Sequence, residues 1–177
     1  PIYCNPASTS YAITLKKNII TGNSKKIDGI RADSGKLILS SNTISSCSRA
    51  IILSSKVKGT VYPNTFKKNT YNNVKVNSSY VNTLTVKSLS GKSKSAKTAT
   101  LNWKKLSSAS GYVVYRSASK NGSYTKISTI KKNKTITYKD SKLKRKSTYY
   151  YKIVPYTTIG KTTVYGLDSK IVSIKIK

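Results

Sequence analysis

The sequence predicts an all-β protein with two regions that differ in their pattern of apolar and polar residues. Val, Ile, Thr and Tyr alternate with polar residues along most of the chain, and the apolar spacing typical of helices is nearly absent. Gly, Asn and Ser interrupt this alternation at short intervals, as turns between short strands do. The chain has 177 residues, of which 37% are hydrophobic, so one large or two small domains with buried cores are expected.

The first region carries an internal repeat of the form Asn-x-apolar, at Asn18, Asn42 and Asn64. Other positions repeat with them, namely Leu15, Leu39 and Val61 three residues before each Asn, Ile13, Leu37 and Gly59 five before, and Asn23, Cys47 and Asn69 five after. A turn of about 20 to 25 residues built of short strands cannot bury its inward side chains alone. The repeat therefore predicts coils stacked as a solenoid.

The recurring Asn has a physical reason in this arrangement. Asn tolerates left-handed backbone at a sharp bend, and its amide can bond to the Asn of the next coil and to the turn backbone. With KNIITGN, SNTISSC and PNTFKKN as successive turns, residues 1–79 resemble the coils of a right-handed parallel β-helix of the pectate-lyase-like kind. The competing interpretation is an up-and-down sandwich with coincidental Asn turns. Since the first coil begins partway through, we expect more coils or a cap to precede it in a longer protein.

Residues 80–177 have the length of a single β-sandwich, and they follow a polar stretch that ends the repeat. The alternation predicts strands at 84–86, 98–103, 112–116, 124–130, 135–138, 148–156 and 169–176. Asn121-Gly122 predicts a tight hairpin with positive φ at both residues, between the third and fourth of these strands.

Three residues of this region stand where a fibronectin type III domain has its signature core. Trp103 follows Leu101 on the second strand, and Leu143 precedes Tyr149 by six residues, as in a tyrosine corner. The segments GYVVYRSASKNGSYTKI and STYYYKIVPY are similar to the bacterial variety of this domain. Arg145-Lys146 departs from it, since Pro-Gly often precedes the corner, and we expect only the turn to change. The expected fold is a partial right-handed parallel β-helix followed by a fibronectin type III-like β-sandwich.

The net charge is +30, from 34 Lys and Arg against 4 Asp and Glu, and all but four of the cations are lysines. Lys is a hydrated point charge suited to diffuse attraction, whereas Arg reads phosphates and base edges bidentately. The chain should therefore attract anionic polymers, and nucleic acid only non-specifically. At any single lysine, a solvated face remains the competing interpretation.

The residues for acid–base or metal chemistry are scarce, since the chain has no His and its only carboxylate side chains are Asp28, Asp33, Asp140 and Asp168. The β-helix resemblance raises polysaccharide lyase and glycoside hydrolase chemistry, which needs clustered acids. Only Asp28, Arg31 and Asp33 come near this, and we expect both carboxylates to cap turns and Arg31 to point outward. We predict no catalytic residue, metal site or cofactor here.

The two cysteines, Cys4 and Cys47, are expected to form one bridge or to be two buried thiols. No apolar run of the sequence is long enough to span a membrane.

Tyrosine supplies 14 of the 16 aromatic residues, and tyrosine rings are a usual platform for stacking on sugars or bases. Tyr112, Tyr149 and Tyr151 belong to the core by the resemblance. Tyr115, Tyr150, Tyr156 and Tyr165 are expected to be exposed, and with Arg31 they are the candidate glycan contacts. Cross-strand pairing is the alternative explanation for these tyrosines.

These observations predict a non-catalytic C-terminal region of a secreted bacterial surface protein. The coils act as a scaffold, and the sandwich is a spacer or binding module that associates with anionic polysaccharide or teichoic acid. The coils also bind further coils upstream. The alternative is an accessory region of a polysaccharide lyase or glycoside hydrolase whose active site lies in upstream coils. The bacterial and extracellular assignments rest on the resemblance.

Overall fold

The structure is a computed structural model, and it describes residues 2–4, 12–22 and 27–177. The chain divides into two compact units. Unit 1 comprises Pro1–Thr83 and Thr157–Tyr165, and unit 2 comprises Leu84–Tyr156 and Gly166–Lys177. The division expected from the sequence, 1–79 and 80–177, did not include the second segment of unit 1. Asn23, one of the repeat positions, lies outside the described residues.

The described residues are all-β and contain no helix. In chain order, the strands before unit 2 are β1 (Ile2–Cys4), β2 (Ala12–Lys16), β3 (Ile19–Thr21), β4 (Ile30–Ala32), β5 (Lys36–Ser40), β6 (Thr43–Ser45), β7 (Arg49–Leu53), β8 (Lys58–Val61), β9 (Thr65–Lys67), β10 (Tyr71–Val76) and β11 (Ser79–Val81). The later strands are β12 (Ser90–Lys92), β13 (Ala99–Asn102), β14 (Gly111–Ser117), β15 (Thr125–Ile130), β16 (Thr137–Asp140), β17 (Thr148–Ile159), β18 (Thr162–Tyr165) and β19 (Val172–Lys175).

The strands of the first segment of unit 1 form three ladders in which each strand pairs in parallel with its equivalent one repeat later. The ladders are β1-β4-β7-β10, β2-β5-β8 and β3-β6-β9, and β11 adds to the first of them antiparallel. The register aligns the positions that repeat in sequence, because Leu15 pairs with Leu39 and Leu39 with Val61. The period found in the sequence is thus the spacing between paired strands.

The repeated asparagines form a hydrogen-bonded ladder along these coils. Asn18 Nδ2 donates to Asn42 Oδ1 at 3.0 Å, and Asn42 Nδ2 donates to Asn64 Oδ1 at 2.9 Å. The backbone N–H groups of Asn18 and Asn42 donate to the same two oxygens. Each side-chain oxygen therefore satisfies a turn N–H and an amide of the preceding coil.

The inward side chains of the ladders fill an apolar core. Ile30, Leu39, Ile44, Ile51 and Leu53 are completely buried, and burying one such side chain stabilises the fold by about 1.5–3 kcal/mol. Cys4 and Cys47 lie in this core as free thiols, and burial raises the pKa of the Cys4 thiol.

The second segment of unit 1 supplies a fourth strand to the second ladder. β18 pairs in parallel with β8, with Val164 opposite Val61 and Thr163 opposite Thr60. Val164 is buried in the core of unit 1, in line with the leucines of the earlier coils. This parallel ladder therefore continues with residues that lie 103 positions further along the chain.

Gly59 departs from the repeat, in which Ile13 and Leu37 occupy the equivalent positions, and the structure gives the reason. A Cβ on Gly59 would lie 2.9 Å from the side chain of Thr162. The hydroxyl of Thr162 donates to the carbonyl of Val57 at 2.9 Å and accepts from the Gly59 N–H at 3.3 Å. Glycine is required because Thr162 approaches the backbone this closely.

Unit 2 is a sandwich of two antiparallel sheets. The strand orders are β12-β13-β16 and β15-β14-β17-β19. Trp103 and Tyr112 are buried between them with an edge-to-face ring contact of 5.3 Å. Tyr151 donates to the Asp140 carboxylate at 2.9 Å, and burial, followed by this bond, raises the pKa of Tyr151.

One of the two turns singled out in the sequence of unit 2 differs from its expectation. β14 and β15 form the predicted hairpin, but residues 118–124 connect them, and neither Asn121 nor Gly122 has positive φ. The expectation of positive φ at both residues was wrong, because Asn121 and Gly122 lie within a seven-residue connection and not in a two-residue turn. At the corner, Lys146 adopts φ +62°, a conformation for which Gly is usual. The Tyr149 hydroxyl accepts a hydrogen bond from the Lys144 N–H at 3.2 Å.

Candidate functional site

The four aspartates each lie in an ion pair with a different cation. The pairs are Asp28–Arg49 at 2.8 Å, Asp33–Arg31 at 3.4 Å, Asp140–Arg116 at 3.0 Å and Asp168–Lys152 at 2.6 Å. Among the described residues, no three acidic or metal-ligating side chains gather at one place. Nor does any helix in this part of the chain have the length and apolar character to cross a membrane. Candidate binding surfaces lie on the outer sides of the sheets.

One such surface lies on the outer side of the first ladder of unit 1. Five residues are aligned across its strands by the register and form what we term the outer row: Tyr3, Arg31, Ile52, Lys75 and Tyr80. Their strand neighbours, such as Ile30, Ile51 and Val74, are buried, so the row points away from the core. Since adjacent strands lie about 4.8 Å apart, the row extends over about 19 Å.

The outer row combines exposed aromatic rings with cations. Tyr3 is 70% exposed and Tyr80 is 49% exposed. The Lys75 ammonium lies 5.3 Å from the centre of the Tyr80 ring, and the Tyr71 ring is 6.1 Å from that of Tyr80. Such a surface can stack on sugar rings and attract their charged substituents at the same time.

The two arginines of this face are held by carboxylates. Asp28, expected to cap a turn, instead accepts two hydrogen bonds from Arg49 of the next coil, at 2.8 and 3.2 Å. This bonding raises the pKa of Arg49. Arg31, a candidate glycan contact, is partly exposed and pairs with Asp33 two residues away. Arg31 points outward, as its alternation with Ile30 and Ala32 predicts.

Three of the candidate tyrosines lie on the outer side of the four-stranded sheet of unit 2. Tyr115, Tyr150 and Tyr156 are half-buried rather than exposed, because their rings pack across neighbouring strands. Lys152 lies opposite Tyr115, with its ammonium 5.7 Å from that ring. The Tyr156 hydroxyl donates to the Ile130 carbonyl at 3.4 Å, and burial raises the pKa of Tyr156. These contacts are typical of cross-strand pairing.

The remaining candidate, Tyr165, lies in unit 1 and is also half-buried. Its ring stacks on Tyr62 at 5.0 Å, with an interplanar angle of 10°. Sequence reasoning missed Tyr62, although it follows Val61 as Tyr165 follows the paired Val164. The predicted contacts therefore fall on three different surfaces, and Arg31 is the one that belongs to the outer row.

No protein-family model matches the chain, and no curated protein matches it. Similar solved structures include an Fn3-like protein from Clostridium thermocellum, with 30% identity, a TM-score of 0.43, and coverage of 51% of this chain and 88% of that one. The chicken CNTN1 FN1–FN3 domains have 19% identity and a TM-score of 0.46, with 54% and 33% covered. The sixth fibronectin type III domain of human fibronectin type III domain containing protein 3 has 19% identity and a TM-score of 0.44, with 54% and 87% covered.

The strand topology and the core of unit 2 identify its fold independently of these similarities. Its two antiparallel sheets enclose Trp103, which directly follows β13, and the hydroxyl of Tyr149 accepts a bond from the backbone five residues upstream. Unit 2 is fibronectin type III-like. Within this fibronectin type III-like unit, Trp103 and Leu143 are buried and Tyr149 packs against the same core, the places that the sequence resemblance implied.

Proposed function

We propose that this chain is a non-catalytic region of a secreted bacterial surface protein that binds anionic polysaccharide through the outer face of unit 1. In this proposal the coils of unit 1 are a right-handed parallel β-helix that serves as a rigid scaffold. The fibronectin type III-like unit is a spacer and binding module, and the polymer is an acidic glycan or a teichoic acid of the cell wall.

The parallel β-helix assignment is supported by the pairing within unit 1. The second and third ladders repeat at offsets of 24 and 22 residues, and the ladder of Asn18, Asn42 and Asn64 follows the same offsets. The first ladder is also parallel from β1 to β10, with offsets from 21 to 28 residues. An up-and-down sandwich would pair its neighbouring strands antiparallel, with offsets that vary along each strand. The parallel register therefore favours the solenoid.

The outer row is the single observation that carries the binding proposal. It places two exposed tyrosine rings and two cations on one sheet surface. An extended polymer lying across the strands can contact each residue of the row in turn. Its sugar faces stack on Tyr3 and Tyr80, and its acidic groups approach Arg31 and Lys75.

The proposal predicts that Tyr80→Ala lowers affinity for an acidic glycan at physiological salt. Loss of a ring contact should weaken binding roughly tenfold, or about 1.4 kcal/mol. Binding of the full chain to polygalacturonate, teichoic-acid-bearing cell walls, neutral glucan and duplex DNA would be measured at low and physiological salt. Tyr62→Ala is the matched control, because Tyr62 is an exposed tyrosine on a different ladder of the same unit.

The outcomes separate a specific face from generic charge. Retention on one polyanion at physiological salt, lost in Tyr80→Ala and kept in Tyr62→Ala, supports the proposal. Equal binding to every polyanion that disappears with salt contradicts it, as does an equal effect of the two substitutions. Lys75→Gln with Arg31→Gln should reduce binding to the charged polymers more than binding to neutral glucan.

A further inference from the structure

A second basic surface lies at one end of the fibronectin type III-like unit. It is a groove of about 710 Å³, lined by Lys97, Lys142, Leu143, Lys144, Arg145 and Tyr149. Four of these six residues are cationic. The groove includes Arg145, which stands where Pro-Gly often precedes the tyrosine corner and which was expected to alter only the turn.

Backbone hydrogen bonds bring these cations together from two separate connections. The Leu143 N–H donates to the Lys97 carbonyl at 3.0 Å, which joins the segment before β13 to the segment after β16. The Lys144 N–H donates to the Tyr149 hydroxyl at 3.2 Å, which fixes the corner. Hydrogen-bonded backbone thus brings the four cationic residues to one groove.

The groove gathers like charges that no carboxylate side chain balances. All four aspartates of the chain pair elsewhere, and within the described residues none of the ion pairs involves a cation of this groove. Lys97 and Lys142 also adopt left-handed backbone, with φ of 60° and 59°, where Gly or Asn is less strained. Repulsion among the cations costs free energy, and an external anion would offset it.

We propose that this groove binds a phosphate group. Four cations around one groove match a ligand with more than one negative charge and with oxygens that face several directions. Free phosphate or a phosphate monoester provides both, and a phosphodiester polymer brings several singly charged phosphates with tetrahedrally arranged oxygens, whereas a carboxylate offers one charge and two oxygens in a plane. The lysines act as point charges, and Arg145 adds a planar fork of donors. The site lies in unit 2 and does not depend on the outer row of unit 1.

The test compares two triple variants that lose the same charge. The groove variant carries Lys97→Asn, Lys142→Asn and Arg145→Gln, with Asn at the two left-handed positions because it tolerates that backbone. The control carries Lys131→Gln, Lys132→Gln and Lys134→Gln. These lysines precede β16 whereas the groove follows it, so the length of the four-residue strand, about 13 Å, separates the two sets along the sheet.

Binding would be followed by amide chemical shifts of the full chain at physiological salt, with inorganic phosphate and poly(glycerol phosphate) as probes. The expected result is a set of shifts at residues 97 and 142–145, with affinity at least tenfold lower in the groove variant and less than twofold lower in the control. Binding of inorganic phosphate alone identifies a free phosphate ligand. Binding of the polymer alone identifies a phosphodiester polymer. If the triple variant fails to fold, the single variant Arg145→Gln takes its place. The same amides are then followed, and its affinity for phosphate should be lower than that of the unchanged chain.

Three results would overturn the proposal. One is the absence of shifts with both probes, and another is an equal loss of affinity in the groove and control variants. The third is equal competition by polygalacturonate at the same charge concentration, which would remove the preference for phosphate. Tyr80→Ala, in unit 1, should leave the groove titration unchanged, so failure here is distinguishable from failure of the glycan proposal.

Discussion

Asn42 is completely buried, and its side-chain amide bonds in both directions along the coil stack. Its Nδ2 donates to Asn64 Oδ1 at 2.9 Å and to the Leu15 carbonyl at 3.0 Å. Its Oδ1 accepts from the N–H and the Nδ2 of Asn18, both at 3.0 Å. A single side chain therefore satisfies polar groups of three successive coils, and its removal would leave several of them unpaired.

Asn42→Ala should lower the free energy of unfolding by about 2–4 kcal/mol, since buried groups that lose a partner cost about 1–3 kcal/mol each. Urea-induced unfolding of the full chain measures this change. Asn82→Ala is the control, because Asn82 is exposed. The Asn ladder would not be a main source of stability if the two variants unfolded at the same urea concentration.

The residue scale was where sequence reasoning succeeded best. Asn18, Asn42 and Asn64 could be recognised because the spacing is local and each coil repeats the same turn. The position five residues later was recognised in the same way, and there the Cys47 N–H donates to Asn69 Oδ1 at 2.9 Å. The exposure of Tyr115, Tyr150 and Tyr156 was misjudged, because alternation gives the side of a strand but not what covers it.

At the scale of elements, the feature without a sequence signal is β18. The predicted strand ended at residue 156, but β17 continues to Ile159, and Gly160 has a φ of +55° in the turn before β18. Residues 157–165 lie in unit 1, where β18 pairs with β8. Their alternation is typical of any half-buried strand, so nothing local indicates a partner 103 residues away.

Thr162→Val tests the contribution of β18 to unit 1. The change keeps the shape of the side chain but removes the donor to the Val57 carbonyl and the acceptor for the Gly59 N–H, both in the interior. We expect the free energy of unfolding to fall by about 1–3 kcal/mol, with faster hydrogen exchange at Gly59.

The matched control for this substitution is Thr163→Val. Thr163 lies on the outer side of the same strand, and its hydroxyl is 3.3 Å from that of Thr158 in an exposed pair. Its replacement should change the unfolding midpoint little. A similar small effect of both variants would show that the Thr162 bonds do not stabilise unit 1.

For the whole molecule, charge is the dominant property. The four aspartates are all in ion pairs, against 34 lysines and arginines, and the net charge is +30. Repulsion among so many like charges destabilises a compact chain more than an expanded one. The two proposed surfaces are places where a bound polyanion would relieve this repulsion.

Salt should therefore stabilise the protein. Raising NaCl from about 0.01 M to about 0.15 M shortens the screening length from about 30 Å to about 8 Å. We expect the melting temperature to rise by about 3 °C, which corresponds to about 1 kcal/mol for a chain of this size. Thermal unfolding by circular dichroism measures this. A flat or falling melting temperature would contradict the charge argument. A larger rise with phosphate than with sulfate at equal ionic strength would indicate the groove, because both anions stabilise proteins generally by exclusion from the surface.

The basic groove shows why the candidate sites could be predicted only in part. Arg145 and Lys146 were noticed as a departure at the turn before Tyr149, but Lys97 lies more than 40 residues earlier. The backbone bond between Leu143 and Lys97 brings the two segments together. Charge that is dispersed in the sequence becomes a cluster only when non-local pairing is known.

The sequence by itself determined the all-β class, the coil period with its Asn ladder and the core positions of the fibronectin type III-like unit. The class and the repeat follow from local alternation, turn chemistry and fixed spacing, which each segment carries in its own residues, and the core positions follow from the family resemblance. Only the tertiary structure decided that Thr162 and Val164 complete a ladder of unit 1, that Gly59 makes room for them, and that Tyr3, Arg31, Lys75 and Tyr80 share a row. These arrangements depend on pairing between distant segments, where strand register and close packing, rather than local preference, set the contacts.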